Sequence, residues 1–319
     1  MELITPKVEI WQQGNTLEDM WRHIARCTRV CYQSTPKENG ESDETFVKRV
    51  ILHSSTGERD FEKLHGAMLE HGTVYLTFDN TIIQEQAYID FFNRNPYSTV
   101  VYSYDVDNPL PTKAHITTNL RVLYENNYTH LLDKYICNPS FHKRRITVSF
   151  TTNIGVSREF NRHRVNSAAE ESTRYCNYNK RNSGQLKIGL PAWLLNEENL
   201  PYVETHQFDK FSSYIEDIFG QTDDELLDNW CDIDFYLFSL TVAQWSYNML
   251  IKKGWKPQQA REVLPLATKT QLIHTAFIDD WKHFFALRAD GVSGAPHPNA
   301  ALLAKPLKEE FIKLNLIEK

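Results

Sequence analysis

The residues best suited to chemistry are concentrated in one polar segment, Arg158-Glu-Phe-Asn-Arg-His-Arg-Val-Asn-Ser-Ala-Ala-Glu-Glu-Ser-Thr-Arg-Tyr175. It contains four arginines, one histidine and three glutamates, separated by small residues rather than by lysines. An arginine is a planar fork of donors that grips a phosphate or a pyrimidine edge, and small neighbours let a ligand approach the backbone. The segment therefore indicates an anion-binding pocket, although an exposed helix with ion pairs four residues apart would have a similar composition. If the segment is helical, Arg162 and Arg164 point to nearly opposite sides and could serve two ligands.

The overall composition predicts a globular protein without a broad basic surface. The chain has 319 residues, of which 41% are hydrophobic and 12% aromatic, enough for a substantial core. Its formal net charge of −6 argues against nucleic-acid binding, which requires an excess of Lys and Arg. The N-terminus lacks the pattern of a signal peptide, and polar residues interrupt the most apolar stretch, Phe235–Ile251. We therefore expect a cytoplasmic protein with neither a membrane nor a nucleic acid as partner.

The cysteines predict reduced thiols rather than disulfides, and Cys27 and Cys31 are expected to be buried in the core. There are five of them, an odd number, and none forms a C-x-x-C pair. His23, Cys27 and Cys31 are spaced four residues apart and could share one helix face as soft metal ligands. Core thiols are the preferred interpretation, by about four to one.

Hydrophobic periodicity and turn residues predict a mixture of helices and strands. The predicted helices cover Thr16–Tyr32, Thr45–Ser54, Phe61–Glu70, Asp232–Lys253, Pro257–Leu264, Asp280–Arg288 and Pro298–Leu314. The predicted strands cover Thr73–Phe78, Val100–Val106, His115–Leu123 and Arg145–Thr151. In the helix that begins at Asp232, we expect one apolar stripe to face the core, formed by Phe235, Phe238, Val242, Trp245 and Met249.

This order of elements predicts an α+β fold in which helices pack on an antiparallel sheet. The sequence contains no G-x-G-x-x-G, so a Rossmann nucleotide site is not expected.

Five segments together resemble one enzyme family. Arg162-His163-Arg164, followed after seven residues by Ser172, resembles the RHR-x7-S signature of the flavin-dependent thymidylate synthases. The family's other elements are similar, in order, to Arg29-Val-Cys-Tyr32, His65-Gly-Ala-Met-Leu-Glu-His71, Arg261-Glu-Val-Leu-Pro265 and Trp281-Lys-His-Phe-Phe-Ala-Leu-Arg-Ala-Asp290. The resemblance spans roughly residues 17 to 315 and omits most of 80–143. We therefore expect one domain over residues 1–319, with a β-rich insertion at about 80–143 that is atypical of the family.

The resemblance implies an activity, its cofactors and an assembly. The reaction is the reductive methylation of dUMP to dTMP, with 5,10-methylenetetrahydrofolate as carbon donor and NADPH-reduced FAD as hydride source. The family is homotetrameric, with sites shared between subunits. The resemblance also assigns FAD-binding residues: Glu70, Arg162, His163, Arg164, Val165, Glu170 and His283.

A second set of residues is assigned to dUMP by the same resemblance. Arg288 is the expected catalytic residue, because an arginine at the uracil ring favours ionised N3. The full set expected to bind dUMP is Glu159, Arg162, Glu170, Glu171, Ser172, Thr173, Arg174, Arg261 and Arg288. Simple structural roles stay open for three residues: Arg261 and Arg288 as helix-end cations, and Glu70 as a capping residue.

The sequence departs from the family pattern at four positions. Glu159 stands where some relatives have a glutamine, and Ala67 replaces a hydroxyl residue that contacts FAD. Phe277 and Asp279 replace an asparagine and an arginine of the flavin site, so contacts to the adenine end of FAD must differ.

Two other functional classes stay open from the residues. A metal-dependent phosphoester hydrolase could use His65, Glu70, His71 and His163 as ligands, although their spacing matches no metal motif. A non-catalytic nucleotide-binding module could also use the arginine cluster, but the acidic net charge disfavours it.

Overall fold

The computed structural model describes residues 1–35, 40–52, 66–106, 108–181, 184–205 and 230–319. Nine strands lie in the described residues: β1 (Glu2–Ile4), β2 (Lys7–Trp11), β3 (Thr73–Asp79), β4 (Thr99–Ser103), β5 (Lys113–Asn119), β6 (Arg145–Asn153), β7 (Ser167–Glu170), β8 (Lys187–Gly189) and β9 (Lys269–Phe277). The α-helices of the described residues are α1 (Leu17–Tyr32), α2 (Asp43–Ile51), α3 (Ile83–Arg94), α4 (Leu120–Glu125), α5 (Ile154–Phe160), α6 (Tyr178–Arg181), α7 (Asn199–Thr205), α8 (Asp232–Lys252), α9 (Pro257–Ala260), α10 (Ile278–Arg288) and α11 (Pro298–Lys313). Short 3-10 helices include Gly66–His71 and Arg261–Val263.

A four-stranded antiparallel sheet of order β2-β6-β9-β7 is the centre of the fold. Side chains alternate along each strand, so one face carries Thr147 and Ile273 and the other carries Val148 and Leu272. The first face packs on α1 and contributes Ile273 to its core. The second face packs on α10 and α11, where Phe150 lies 5.9 Å from the Phe284 ring. This arrangement confirms the predicted α+β class.

Several predicted elements are confirmed with small shifts of their ends. Helix α1 begins after Thr16. The Thr16 side chain accepts a hydrogen bond from the Asp19 backbone amide, and the Asp19 carboxylate accepts one from the Thr16 backbone amide. The helices predicted to end at Arg288 and to begin at Pro298 do so. Of the helix predicted over Phe61–Glu70, residues 61–65 lie outside the described residues, and the remainder is a 3-10 turn.

Two predictions about individual elements are wrong. The strand expected over His115–Leu123 ends at Asn119, because the Asn119 side chain accepts from the Val122 amide and starts α4. In α8 the expected core stripe lies partly outward, with Phe235 and Trp245 each 47% exposed. The opposite side of α8 is the one buried, through Leu237, Leu240 and Tyr247 among others. Both sides of this helix are apolar, so periodicity alone could not choose between them.

Residues 80–143 contribute two strands to a second sheet, and that they are an insertion atypical of the family stays a prediction. Strands β4 and β5 pair antiparallel with each other and with β3, in the order β3-β5-β4. The segment also contains α3 and α4, which the sequence patterns did not predict. A third, parallel pair joins β1 to β8. No helix in the described ranges is both long and apolar enough to cross a membrane.

Candidate functional site

The first part of the expected signature, Arg162-His163-Arg164, lies on the loop of residues 161–166, called here the RHR loop, which joins α5 to β7. Asn153 caps the start of helix α5, because its side chain accepts from the Val156 backbone amide, and the helix ends at Phe160. Arg162 and Arg164 are therefore outside the helix, and the expectation that they project from opposite helix sides is wrong. Both are nevertheless exposed, and neither has an ion pair with any residue in the described ranges.

The RHR loop is hydrogen-bonded to a buried histidine that the sequence patterns did not identify. His274 on β9 is fully buried. Its Nδ1 lies 3.1 Å from the side-chain nitrogen Nδ2 of Asn166, and its Nε2 lies 3.2 Å from the side-chain oxygen Oδ1 of Asn161. The pKa of His274 is lowered to about 3, mainly by burial and then by nearby His163, so the ring is neutral at pH 7.

Arg288 is the most heavily bonded arginine of the candidate site. Its Nη1 donates to the Glu159 carboxylate at 2.6 Å, and its Nη2 donates to the Glu159 carbonyl at 2.6 Å. Its Nε donates to His163 Nε2 at 3.2 Å. The last turn of α10 fixes this geometry, since Phe284 and Phe285 anchor the helix in the core. Arg288, Glu159 and His163 therefore form one cluster, called here the Arg288 cluster.

The Arg288 bond also fixes the state of His163. An arginine Nε–H can only donate, so His163 Nε2 must be the unprotonated acceptor and the ring proton must lie on Nδ1. Burial and the Arg288 charge lower the pKa of His163 to about 4, which favours the same neutral form. The exposed His283 ring lies 5.8 Å from His163, so this predicted residue joins the cluster.

The predicted residues after β7 fall into different environments. Glu170 accepts from Asn161 at 3.1 Å and from Thr270 at 3.0 Å. Glu171 is buried and forms an ion pair of 2.6 Å with Lys269, so its carboxylate is occupied within the protein. The Ser172 amide donates to the Cys31 carbonyl at 3.0 Å, which ties this segment to the end of α1. Thr173 is partly buried.

Arg174 and Arg261 lie near the same short helix, α9. Arg174 Nε donates to Gln258 at 3.3 Å, and its guanidinium lies 5.1 Å from the Tyr175 ring centroid. Arg261 follows α9 directly and is 3.7 Å from the exposed Glu262 carboxylate. Both arginines are exposed, so both cations are accessible to a ligand.

Glu70 lies apart from the two groups above and contacts residues of the second sheet's segment. Arg121 Nη1 donates to its carboxylate at 2.6 Å, and Arg145 Nη1 donates to its carbonyl at 2.9 Å. Glu70 and Arg121 also line a cavity of about 120 Å³. Arg145 also donates to Ser167 at 3.1 Å, so it links Glu70 to the first residue of β7, directly after the RHR loop.

Residues missed from the sequence share one property: each acts through a partner far along the chain. His274, Lys269 and Arg121 contact residues that are 51 to 113 positions away. No local spacing marks such pairs. Only the β-rich composition of 269–277 was visible in the sequence, and it would have predicted the strand but not the partners.

Other potential sites are less suited to a ligand. A surface groove of about 1340 Å³ lies between α1 and α2, but its cations are engaged internally, such as Arg29 with Asp43 and Arg49 with Glu41. Cys27 is fully buried, and burial raises the pKa of Cys31 to about 11, as expected of core thiols.

The metal-site alternative receives no support from the geometry. His65 lies outside the described residues. Glu70 is paired with Arg121, His71 is buried against Thr275 at 2.8 Å, and His163 accepts from Arg288. Throughout the described part of the chain, no group of three or more His, Cys, Asp or Glu residues could hold a metal ion.

The chain is similar in sequence to two thymidylate synthases and to two solved structures of a methylase. The chain is 25% identical over 204 residues to the flavin-dependent thymidylate synthase of Corynebacterium glutamicum, covering 64% of this chain and 67% of that protein. It is 37% identical over 67 residues to a probable flavin-dependent thymidylate synthase of Paramecium bursaria Chlorella virus 1, covering 21% and 30% of the two chains. Two crystal structures of the UMP/dUMP methylase PolB from Streptomyces cacaoi, bound with 5-Br dUMP and with 5-Br UMP, are 21% identical and cover 60% of this chain. The two matches cover 73% and 76% of the PolB chains. Their TM-score of 0.37 is too low for an inference about substrate.

The family comparison identifies the family to which the chain belongs. Residues 140–314, more than half of the chain, match the family described as thymidylate synthase complementing protein. The matched range contains the RHR loop, the Arg288 cluster and the Glu170–Arg174 segment. The family resemblance predicted from the motifs is confirmed, and the chain belongs to the thymidylate synthase complementing protein family.

Proposed function

We propose that this protein is a flavin-dependent thymidylate synthase that methylates dUMP to dTMP. The family match over residues 140–314 carries the proposal, because the arginines of the RHR loop lie within it and are accessible. The similarity to the Corynebacterium glutamicum enzyme extends over two thirds of that protein and supports the same reaction.

The residues of the RHR loop are chemically suited to FAD. Arg162 and Arg164 offer two guanidinium groups without an internal ion pair in the described residues, and such groups match a diphosphate. Val165 is 64% exposed and offers apolar surface next to them. His163 directs its Nδ1–H away from Arg288 and can donate it to a ligand. When bound, FAD would supply the hydride chemistry, with NADPH as reductant and 5,10-methylenetetrahydrofolate as carbon donor.

Arg174 and Ser172 are the proposed binding groups for the phosphate and ribose of dUMP. Arg174 is exposed, and the described contacts of its guanidinium are a hydrogen bond to the neutral Gln258 and the face of the Tyr175 ring. The Ser172 hydroxyl accepts from the Arg174 amide at 3.3 Å, which holds the two residues as one unit. Arg261 adds a cation near α9, whereas Glu171 acts through its buried pair with Lys269 and shapes the segment.

Arg288 is the proposed catalytic residue at the uracil ring. A guanidinium has five N–H donors, and the contacts to Glu159 and His163 use three of them. One N–H on each terminal nitrogen is left to donate to a ligand. Glu159 and His163 therefore orient Arg288, and the remaining pair of donors can stabilise charge that develops on the pyrimidine.

Assembly into a homotetramer is part of the same proposal. Phe235 and Trp245 are exposed on α8 and provide apolar area for a neighbouring subunit.

The carboxylate of Asp279 forms ion pairs with Lys143 at 3.4 Å and with Lys282 at 3.1 Å. A carboxylate repels a diphosphate, so Asp279 does not take over the role of the arginine that the family has at this position. The adenine end of FAD must then be bound by other groups.

The test measures flavin content and turnover on the purified protein. We expect FAD to co-purify, NADPH to bleach its absorbance, and dUMP to be converted to dTMP when the folate donor is added. The double variant Arg162→Ala/Arg164→Ala should lose FAD at least tenfold in affinity. Arg158→Ala is the matched control, because Arg158 is also exposed but lies on α5 outside the loop.

Other outcomes would assign the protein to another class. A colourless protein that does not take up added FAD contradicts the proposal. If such a protein binds dUMP without converting it, the nucleotide-binding module is favoured. If it hydrolyses phosphoesters only with a divalent metal, the hydrolase is favoured.

A further inference from the structure

The two ends of the RHR loop are bonded to the same buried side chain. Asn161 is the first residue of the loop and Asn166 is the last, and both contact the ring of His274. His274 belongs to β9, and its Cα partner across the sheet is Val148 on one side and Ala168 on the other. A single rigid strand therefore contacts the loop at its start and at its end.

The directions of these bonds are consistent with only one set of donors. Asn161 Nδ2 lies 3.1 Å from a Glu170 carboxylate oxygen, which accepts, so the Asn161 amide oxygen faces His274. His274 Nε2 must then carry the ring proton and donate it. Nδ1 is left unprotonated and accepts from Asn166 Nδ2. The result is a directed chain from Asn166 through His274 and Asn161 to Glu170.

A polar ring at this position is costly for the core. The neighbours of His274 on this face of the sheet are aromatic, with Phe150 at 6.1 Å and Trp281 at 6.5 Å between ring centroids. An aliphatic or aromatic residue would pack there without needing two hydrogen-bond partners. Asn166 is also buried, and its amide oxygen lacks a partner within the described residues. The one described bond of the Asn166 side chain is therefore to His274, and the His274 ring uses both of its nitrogens on the ends of the loop.

We propose that His274 is a positioning residue that closes the RHR loop, holding Arg162, His163 and Arg164 in place through Asn161 and Asn166. The closure itself is independent of any ligand. Its consequence for FAD binding rests on the proposed function. The loop has a second, separate tether, the bond between His163 and Arg288, so removing His274 should loosen the loop without releasing it completely.

The neutral state of the ring makes the closure independent of pH over a wide range. His274 donates through one nitrogen and accepts through the other, which only a neutral ring can do. Because burial holds its pKa near 3, the ring stays neutral at any pH at which the protein would be assayed. No other titratable group makes a hydrogen bond to the ring in the described residues.

The experiment compares loop opening in His274→Phe and in the unaltered protein, without any ligand. Trypsin can cut after Arg162 and Arg164, and hydrogen exchange can be followed at residues 161–166. We expect both loop cleavage and loop exchange to become about tenfold faster or more, while exchange of β6 and β9 is retained. His23→Phe is the matched control, since His23 is an equally buried histidine that bonds Thr147 on the opposite face of the sheet.

A second variant keeps the test decisive if His274→Phe fails to fold. Asn161 is exposed, so Asn161→Ala should fold and should open the loop to a similar degree. Adding His274→Phe to Asn161→Ala should increase opening by less than the product of the single effects, because both remove the same bond. Unchanged loop exchange in both single variants, or equal opening in His23→Phe, would overturn the proposal.

The affinity for FAD is measured separately on the same variants. If the loop opens and FAD affinity falls, His274 positions the loop for its ligand. If the loop opens while FAD affinity is unchanged, the closure stands and the proposed role of the loop in FAD binding is wrong.

Discussion

Arg288 and the two arginines of the RHR loop differ in how the protein uses their donors. Arg288 has three of its five N–H groups bonded to Glu159 and His163, and it is only partly exposed. Arg162 and Arg164 are exposed and have no such partners among the described residues. A preorganised arginine costs nothing to orient during a reaction, whereas a free one can adapt to a ligand's shape. The difference therefore separates a group suited to stabilising developing charge from groups suited to binding.

The largest expected effect comes from Arg288→Lys. Lysine keeps the charge but has only three N–H donors on one nitrogen, so it cannot bond Glu159 twice, reach His163 and still donate to the substrate. We expect turnover to fall by ~10²–10³, and dUMP affinity to fall much less, because the lost donors act mainly as charge develops. Single-turnover kinetics of the purified variant measure both quantities.

The control for this variant is the reductive half of the reaction. Reduction of bound FAD by NADPH precedes carbon transfer, so it should proceed almost normally in Arg288→Lys. If flavin reduction collapses while methyl transfer survives, Arg288 belongs to the cofactor site, and its separation from the RHR loop arginines is wrong.

A smaller effect is expected for Arg174→Ala, which tests whether Arg174 acts like the binding arginines of the RHR loop or like the preorganised Arg288. Arg174 is exposed and is held by a single hydrogen bond to the neutral Gln258 and by the Tyr175 ring, without a described ion pair, so it should act by binding rather than by preorganised charge. Loss of one charge-assisted bond should raise the dissociation constant for dUMP about tenfold to a hundredfold, with FAD affinity little changed. Isothermal titration with each ligand distinguishes the two. An equal loss of both ligands would indicate disassembly or unfolding instead.

The sequence predicted the signature of the candidate site better than its geometry. The residue types and spacing of Arg162, Arg164 and Ser172 are local, and so they could be recognised directly. The partners of Arg288 could not, because Glu159 is 129 positions away in the chain. The helical interpretation of residues 158–164 failed for a related reason, since the side chain of Asn161 is bonded to His274 and Glu170 beyond the end of α5.

The same limit applies to the fold. Helix α1 was predictable because its cap, Thr16, and its apolar face are local signals. Strand β7 was not, because Ser167-Ala-Ala-Glu170 has little intrinsic strand preference and is extended through its pairing with β9. In α8 the two apolar sides are distinguished only by what packs against them.

A pH-dependent effect on stability is expected from His163, which links the RHR loop to Arg288. Burial and the adjacent Arg288 charge lower its pKa from the ordinary value of 6.5 to about 4. Between these two values the unfolded chain binds a proton that the folded protein does not. The free energy of unfolding should therefore decrease as the pH falls from 6.5 to 4, with up to ~1.4 kcal/mol per pH unit from this residue. Below about pH 4 the folded ring also binds a proton, and this contribution stops changing.

His163→Asn isolates that contribution. An asparagine side chain does not titrate, so the slope of stability against pH should be shallower than in the unaltered protein over the same interval. Urea unfolding at a series of pH values measures the slope. His283→Asn is the matched control, because its exposed ring lies only 5.8 Å away but makes no bond to Arg288 among the described contacts. If His163→Asn retains the full slope, the proton uptake occurs at other buried histidines, such as His274, whose pKa is also depressed. The neutral acceptor at residue 163 would then not be what couples the RHR loop to Arg288.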